Sequence, residues 1–232
     1  YHRCFVPFYG FISNEKYFGF VYEFMCNGNL HNIILNSNKF SFFYLFMSMI
    51  RIFQAINYLH SNNYIHRDIK PFNILIDHDY IPYVSDFEHT RLINEDNSIE
   101  LTSDIGSVPY QSPEQYRTKT YSFSTDIYSF GVTAYFIFER KNMFINQSPD
   151  KINKLLINNF TPDFINTPEQ IREIIVQCVK YIPDDRISNQ KIIENIINQI
   201  KSFYFFEKSF IKNQLENIKH WEIVLFASEN KN

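Results

Sequence analysis

The sequence predicts an α+β domain in which a small aromatic-rich sheet leads into a mainly helical body. Three observations carry this expectation. Two short runs near the N-terminus are rich in aromatic and β-branched residues, the composition of strands. From Ser41 onward, apolar residues recur at helical spacing in several segments. Between the first two of those segments lies one hairpin pattern, and the chemically active polar residues cluster around it.

Residues 3–9 and 17–25 (YFGFVYEFM) read as the two strands, and the stretch CNGNL breaks the second. A helix is expected from Ser41 to His60, where Leu45, Met49, Ile52, Phe53, Ile56 and Leu59 share one face. It runs directly into SNNYIHRD. Residues 74–76 (ILI), the turn 77–79 (DHD) and residues 81–84 (IPYV) read as a small hairpin. Residues 88–107 are polar and aperiodic, and are expected to form a loop. STDIYSFGVTAYFIF (124–138) is apolar on nearly every face, which predicts a buried helix. Two more helices are expected near 168–180 and 189–201, and 202–232 forms a C-terminal tail.

Composition narrows the function classes. Across 232 residues the net charge is −3, so there is no electrostatic case for binding nucleic acid or an anionic membrane surface. The longest uncharged apolar run, FSFFYLFMSMI, stops at Arg51 and is too short to span a bilayer, so no membrane insertion is expected. The three cysteines form no C-x-x-C pair and are odd in number, which suits a reducing, cytoplasmic setting better than a disulfide framework.

The informative stretches are IHRDIKPFN (65–73) and SDFEHT (85–90). Transfer of a phosphoryl group to a hydroxyl requires charge neutralised on the phosphates, a metal held in place, and a carboxylate that orients the hydroxyl and takes its proton. Asp68 can be that carboxylate, and Lys70 lies two residues on. Asn73 and Asp86 offer the hard oxygen ligands that Mg²⁺ prefers.

The spelling His-Arg-Asp-x-Lys-x-x-Asn over residues 66–73 resembles the catalytic loop of the eukaryotic protein kinases. Other landmarks of that family follow in order. Asp86-Phe87 stands where the family has its magnesium-binding Asp-Phe-Gly, GSVPYQSPE resembles the segment ending in Ala-Pro-Glu, and DIYSFG resembles the start of the long buried helix. The resemblance covers residues 1–201, with 1–25 as the end of the small lobe and the hinge, and 26–201 as the large lobe. It implies a protein-kinase-like fold, mainly a helical large lobe with a remnant of the β-sheet small lobe. It also implies ATP and Mg²⁺ as cofactors and protein substrates as partners.

Roles follow by the same resemblance. Asp68, Lys70 and Arg67 would be catalytic-loop groups, and Asn73 and Asp86 the metal ligands. Tyr22 would be the gatekeeper, Glu23 and Met25 would offer their backbones to adenine, and Leu75 would form the floor beneath it. His66 would pack and order the loop, Asp126 would hold its backbone, and Glu114 would pair with Arg186. Lys70 and Ser107 match the serine/threonine class, and FVPFYGF with VYEFMCNGNL leans to its tyrosine-kinase-like branch. Phe72 replaces the Glu that many base-reading members carry, so no basic consensus is expected. Arg67 implies a phosphate on the following loop, for which Ser103 has the right spacing, with Thr102 and Ser98 as alternatives.

Two departures stand beside the resemblance. Only 21 residues precede Tyr22, with no Gly-rich loop, strand lysine or helix glutamate among them, so the chain is expected to be a piece of a longer protein or a degenerate copy. Glu88 occupies the place of a glycine whose freedom lets the backbone flip beside Asp86. A serine/threonine kinase is the expected function, with a pseudokinase scaffold or allosteric module as the alternative.

Overall fold

The computed structural model describes residues 2–36, 40–93, 98–100 and 108–206. It divides into two compact units, Tyr1–Asn189 and Gln190–Asn232.

The first unit opens with a hairpin of β1 (Phe8–Ser13) and β2 (Phe18–Tyr22). Asn14 closes its turn, its side-chain oxygen accepting the N–H groups of Lys16 and Tyr17 at 2.8 and 3.0 Å. The strand expected at 3–9 is divided at Pro7, which has no N–H to give to a ladder. Before it, residues 4–6 run beside a later strand, with Val6 N–H on the Val84 carbonyl and Val84 N–H on the Cys4 carbonyl. After it, the chain enters β1. The second strand ends at Tyr22 and not at Met25, because the Met25 carbonyl turns to accept Gly28 N–H, with Gly28 at φ +71°.

Helix α1 (Leu30–Asn36) is absent from the sequence expectation; Asn29 caps it through Asn32 N–H at 3.0 Å, and it buries only Leu30 and Ile34. Helix α2 (Phe42–Ser61) starts where expected, with Ser41 accepting Tyr44 N–H at 3.2 Å. By length and composition α2 could cross a membrane, although the sequence ends its uncharged apolar run at Arg51. Instead 61% of its most apolar window is buried in the protein. Arg51 is buried too, donating to the carbonyls of Arg3 and Pro82 at 2.5 and 2.9 Å. The helix is the spine of the core.

Strand β3 (Tyr64–Ile65) follows, and then the hairpin of β4 (Ile74–Ile76) and β5 (Pro82–Val84). Asp77 pins the hairpin turn by accepting the N–H groups of Asp79 and Ile81. The stretch expected as loop contains β6 (Arg91–Leu92), paired with β3, and β7 (Ser98–Glu100), paired with β8 (Thr120–Ser122). Those pairings need partners far along the chain, so no local period announces them. Between β7 and β8 lies α3 (Pro113–Thr118), opened by a capping box in which Ser112 and Gln115 bond reciprocally.

Helix α4 (Phe123–Glu139) is buried along nearly its whole length, as its all-round apolarity predicts. Phe130 packs on Phe53 of α2 at 5.3 Å between ring centroids. After α5 (Pro149–Ile157), α6 (Glu169–Cys178) crosses α4 at Gly131, where a Cβ would stand 2.5 Å from the Cys178 Cβ. The glycine is required by that close approach. The last helix, α7 (Asn189–Phe206), extends beyond the expected end at 201 because no Gly or Pro interrupts it.

Candidate active site

The hairpin β4–β5 and the loop before it bring the polar cluster together on top of α4. Asp126, in the first turn of α4 and fully buried, is the anchor. Its carboxylate accepts the backbone N–H groups of His66 at 2.8 Å and Arg67 at 2.9 Å, and the His60 ring at 3.0 Å. Burial alone would raise this carboxyl; the hydrogen bond from the His60 ring, with the backbone N–H of His66, holds it below its ordinary value. The far nitrogen of His60, Nδ1, faces the Asn189 amide nitrogen at 3.0 Å and accepts from it, while Nε2 donates to Asp126.

His66 also has one tautomer written by its partners. Its Nδ1 accepts Asp68 N–H at 3.3 Å and its Nε2 faces the Ser85 carbonyl at 3.0 Å. Burial pushes its pKa below 6.5, against the pull of Asp126, Asp68 and Asp86. It is a neutral strut between the two polar stretches.

Asp68 is buried, and its two oxygens differ. Oδ2 accepts Lys70 Nζ at 2.6 Å and the Asn73 amide at 2.9 Å, while Oδ1 has no partner among the described residues. Asn73 Nδ2 also reaches the Asp68 carbonyl at 2.9 Å, which fixes the amide with its nitrogen on Asp68 and leaves its oxygen for another ligand. The Asn73 carbonyl accepts both the N–H and the hydroxyl of Ser85 at 2.9 and 2.8 Å, so the residue next to Asp86 is tied to Asn73. The Asp86 side is exposed.

Arg67 and Asp86 both adopt left-handed backbone angles, φ +75° and +64°. Non-glycine residues are strained there, and such strain concentrates at functional sites. Glu88 has no positive φ, so this conformation needs no glycine at that position. Its side chain is exposed and its carbonyl accepts from Arg91 at 3.0 Å.

The Arg67 guanidinium is only 2% exposed. It donates to the His89 carbonyl at 3.2 Å and lies 4.1 Å above the Tyr121 ring, while Nε and Nη2 have no hydrogen-bond partner among the described residues. Glu114 and Arg186 form a two-pronged ion pair at 2.6 and 2.7 Å away from this cluster, with Arg186 also on the carbonyls of Lys180 and Ser124.

The remaining expected residues sit beside the cluster. Residues 27–28 are laced to β4 through Asn27 N–H on Ile76 and Ile76 N–H on Gly28, and Asn29 bridges Leu75. Met25, buried, and Leu75, half-buried, therefore flank one surface. Glu23 gives its N–H to the Pro7 carbonyl. Tyr22 is half-exposed and, with Phe87, Phe5, Val6 and Leu59, lines an apolar hollow of about 500 Å³. Ser103 and Ser107 lie outside the described residues.

Three contributors escape sequence reasoning: Ser85, His60 and Asn189. Each acts by a hydrogen bond across the fold, and none has a local signal. Asn73 and Asp86 carry the hard oxygen donors that suit Mg²⁺, and among the described residues no cluster of three or more His, Cys, Asp or Glu offers a site to a softer ion. A site with so few protein ligands relies on phosphate oxygens to complete the metal's shell.

Comparison with known proteins agrees with this geometry. Residues 1–198 match the family described as protein kinase domain. The chain is 30% identical over 188 residues to a "Probable serine/threonine-protein kinase" of Clostridium acetobutylicum, covering 79% of this chain and 29% of that one. It is 30% identical over 198 residues to a "Probable LIM domain-containing serine/threonine-protein kinase" of Dictyostelium discoideum, covering 84% and 30%. An "Aurora kinase" of Eremothecium gossypii is 28% identical over 193 residues, covering 82% and 52%. The chain thus spans less than a third of the length of the first two.

Proposed function

This chain belongs to the protein kinase family, and from that premise we propose that it takes part in ATP- and Mg²⁺-dependent phosphoryl transfer to serine or threonine hydroxyls of protein substrates. The observation that carries the proposal is the asymmetry of Asp68. One oxygen is engaged by Lys70 and Asn73, and the other has no partner. Asp68 Oδ1, enclosed in this conformation, would accept the hydrogen bond of the acceptor hydroxyl once the arriving substrate displaces what covers it, with the hydroxyl oxygen aimed at the phosphorus. Lys70 exchanges its bond to Asp68 for the transferring phosphoryl oxygens as negative charge develops there. Asn73, through its amide oxygen, and Asp86 would hold Mg²⁺, which would supply charge neutralisation across the phosphates. Met25, Leu75 and the Glu23 carbonyl offer the adenine surface, with Tyr22 at its inner end.

Arg67 supports a regulatory role for the segment after Phe87. A buried guanidinium with two nitrogens lacking a hydrogen-bond partner is matched by a phosphate, and Ser103 is the proposed carrier. A Ser103→Ala variant with unchanged phosphorylation and activity would remove this reading. The three free cysteines suit a reducing, cytoplasmic setting.

Calorimetric titration with ATP tests the nucleotide site. Binding that requires Mg²⁺, weakens in Asp86→Asn and survives in Asp68→Asn supports the enzyme reading. The absence of Mg²⁺-dependent binding would favour a scaffold.

A further inference from the structure

A buried guanidinium needs something to oppose its charge, and Arg67 has no acid to do so. It is almost fully enclosed, and among the described residues none of the ion pairs includes it. Its side chain donates to one carbonyl, that of His89, while Nε and Nη2 are enclosed without a partner among the described residues. A desolvated cation so poorly served is strongly destabilising unless another group faces it. The ring of Tyr121 does face it, with the guanidinium carbon 4.1 Å from the ring centroid.

That ring is firmly held. Tyr121 is fully buried in the middle of β8, pairs with Ile99 of β7, and packs in one cluster with Ile65, Ile93 and Phe123. Ile65 lies two residues before Arg67. Phe123 opens α4, whose Asp126 accepts the Arg67 backbone N–H at 2.9 Å. One short stretch, residues 121–126, therefore grips Arg67 twice. Asp126 takes its backbone, left-handed at φ +75°, and Tyr121 takes its charged end.

The two kinds of guanidinium surface explain why a ring suits this place. The face stacks on aromatic rings, whereas the N–H groups donate within the plane. A ring on the face meets the charge without consuming a donor. Where water is excluded, such an attraction is worth up to about thirtyfold in an equilibrium. An aliphatic side chain could fill much of the same space and would offer the charge nothing.

We propose that Tyr121 is a positioning residue for Arg67, its ring acting in place of a counter-ion and holding the guanidinium beside the catalytic loop while no phosphate is bound. The loop then keeps its shape in the unphosphorylated chain, and a phosphate adds to this arrangement and does not create it. The proposal rests on the kinase reading only for that phosphate; the role of the ring is measured without it.

The experiment is thermal melting in phosphate-free chloride buffer of the wild-type chain, Tyr121→Leu, Arg67→Met and the double variant, with Tyr121→Phe as the conservative change. Tyr121→Leu should lower the melting temperature by about 4–8 °C when Arg67 is present, and by about half of that or less beside Arg67→Met. Tyr121→Phe, which keeps the ring, should stay within about 2 °C of the wild type. A residue that only fills space would give the same shift in both backgrounds. Where Tyr121→Leu does not fold in either background, the cycle is run with Tyr121→Met, which keeps most of the volume. Equal shifts in the two backgrounds, or Tyr121→Phe as damaging as Tyr121→Leu, would overturn the proposal. The Ser103→Ala measurement judges the phosphate separately. Charge-dependent shifts beside an indifferent Ser103→Ala sustain the ring and remove the phosphate; equal shifts beside a Ser103→Ala that loses activity do the reverse.

Discussion

Asn73 binds Asp68 twice through a single nitrogen, at 2.9 Å to the carboxylate and 2.9 Å to the carbonyl. This one amide fixes the carboxylate proposed to meet the substrate and leaves its own oxygen for the proposed metal. Asn73→Ala should therefore do two things at once. Thermal melts should show a loss of about 1–3 kcal/mol, since buried acceptors on Asp68 lose their donor. Titration should show weaker Mg²⁺-dependent ATP binding. A variant with unchanged melting and unchanged binding would show that the amide does neither.

The pairing of Glu114 with Arg186 is two-pronged, and Arg186 is almost fully enclosed. Removing the acid leaves the guanidinium with the carbonyls of Ser124, Lys180 and Tyr181 and the Tyr128 ring, 5.2 Å away, for company. Glu114→Ala should cost about 3 kcal/mol or more in chemical denaturation, the range for an orphaned buried charge. Glu114→Gln should cost less because it keeps one acceptor.

Gly131 sits at a close approach of α4 and α6. A Cβ there meets the Cys178 Cβ at 2.5 Å and Val179 Cγ1 at 3.0 Å, so one helix must shift. Gly131→Ala should destabilise by about 1–3 kcal/mol despite alanine's better helix propensity. A raised melting temperature would mean the helices have slack at this crossing.

Acid should unfold the chain in two stages. The His66 pKa is depressed by burial from its ordinary 6.5, so its contribution is present above that value and is lost as pH falls below it, where the unfolded chain takes up a proton first. Asp126 lies below its ordinary 3.8. Burial would raise the Glu139 carboxyl, but the Thr167 hydroxyl and the N–H groups of Ile165, Thr167 and Asn166 hold it below 4.5. Those two contributions are present above the ordinary carboxyl values and are lost as pH falls through the depressed ones. Melting temperature against pH should decline gently below 6.5 and steeply below 4.5. Stability that stays flat down to pH 4 would contradict the neutral His66 strut.

Much of the fold was legible because it is written in local periods. Ser41 and the Leu45–Leu59 stripe announce α2, and the continuous apolarity of 124–138 announces a buried α4. The short elements were not: α1 buries two residues, and β7 with β8 exists only because Tyr121 finds Ile99 across the chain. At the site, Asp68, Lys70 and Asn73 could be picked out because their chemistry is compressed into one turn. Ser85, His60 and Asn189 could not, since a serine, a histidine and an asparagine acquire their roles only when folding brings carbonyls and rings to them. Glu88 is the opposite case. Sequence alone makes it an obstacle, and the backbone places the strained angle at Asp86 instead.

The central claim is that Asp68 orients a hydroxyl for phosphoryl transfer. Its most direct test is transfer of the labelled γ-phosphate of ATP to a serine peptide by the wild-type chain and by Asp68→Asn, with Mg²⁺ present. The account predicts transfer by the wild type, a loss of at least about a hundredfold in Asp68→Asn, the scale of a general-base contribution, and nucleotide binding retained in both. No transfer by the wild-type chain, or equal transfer by both, would contradict it.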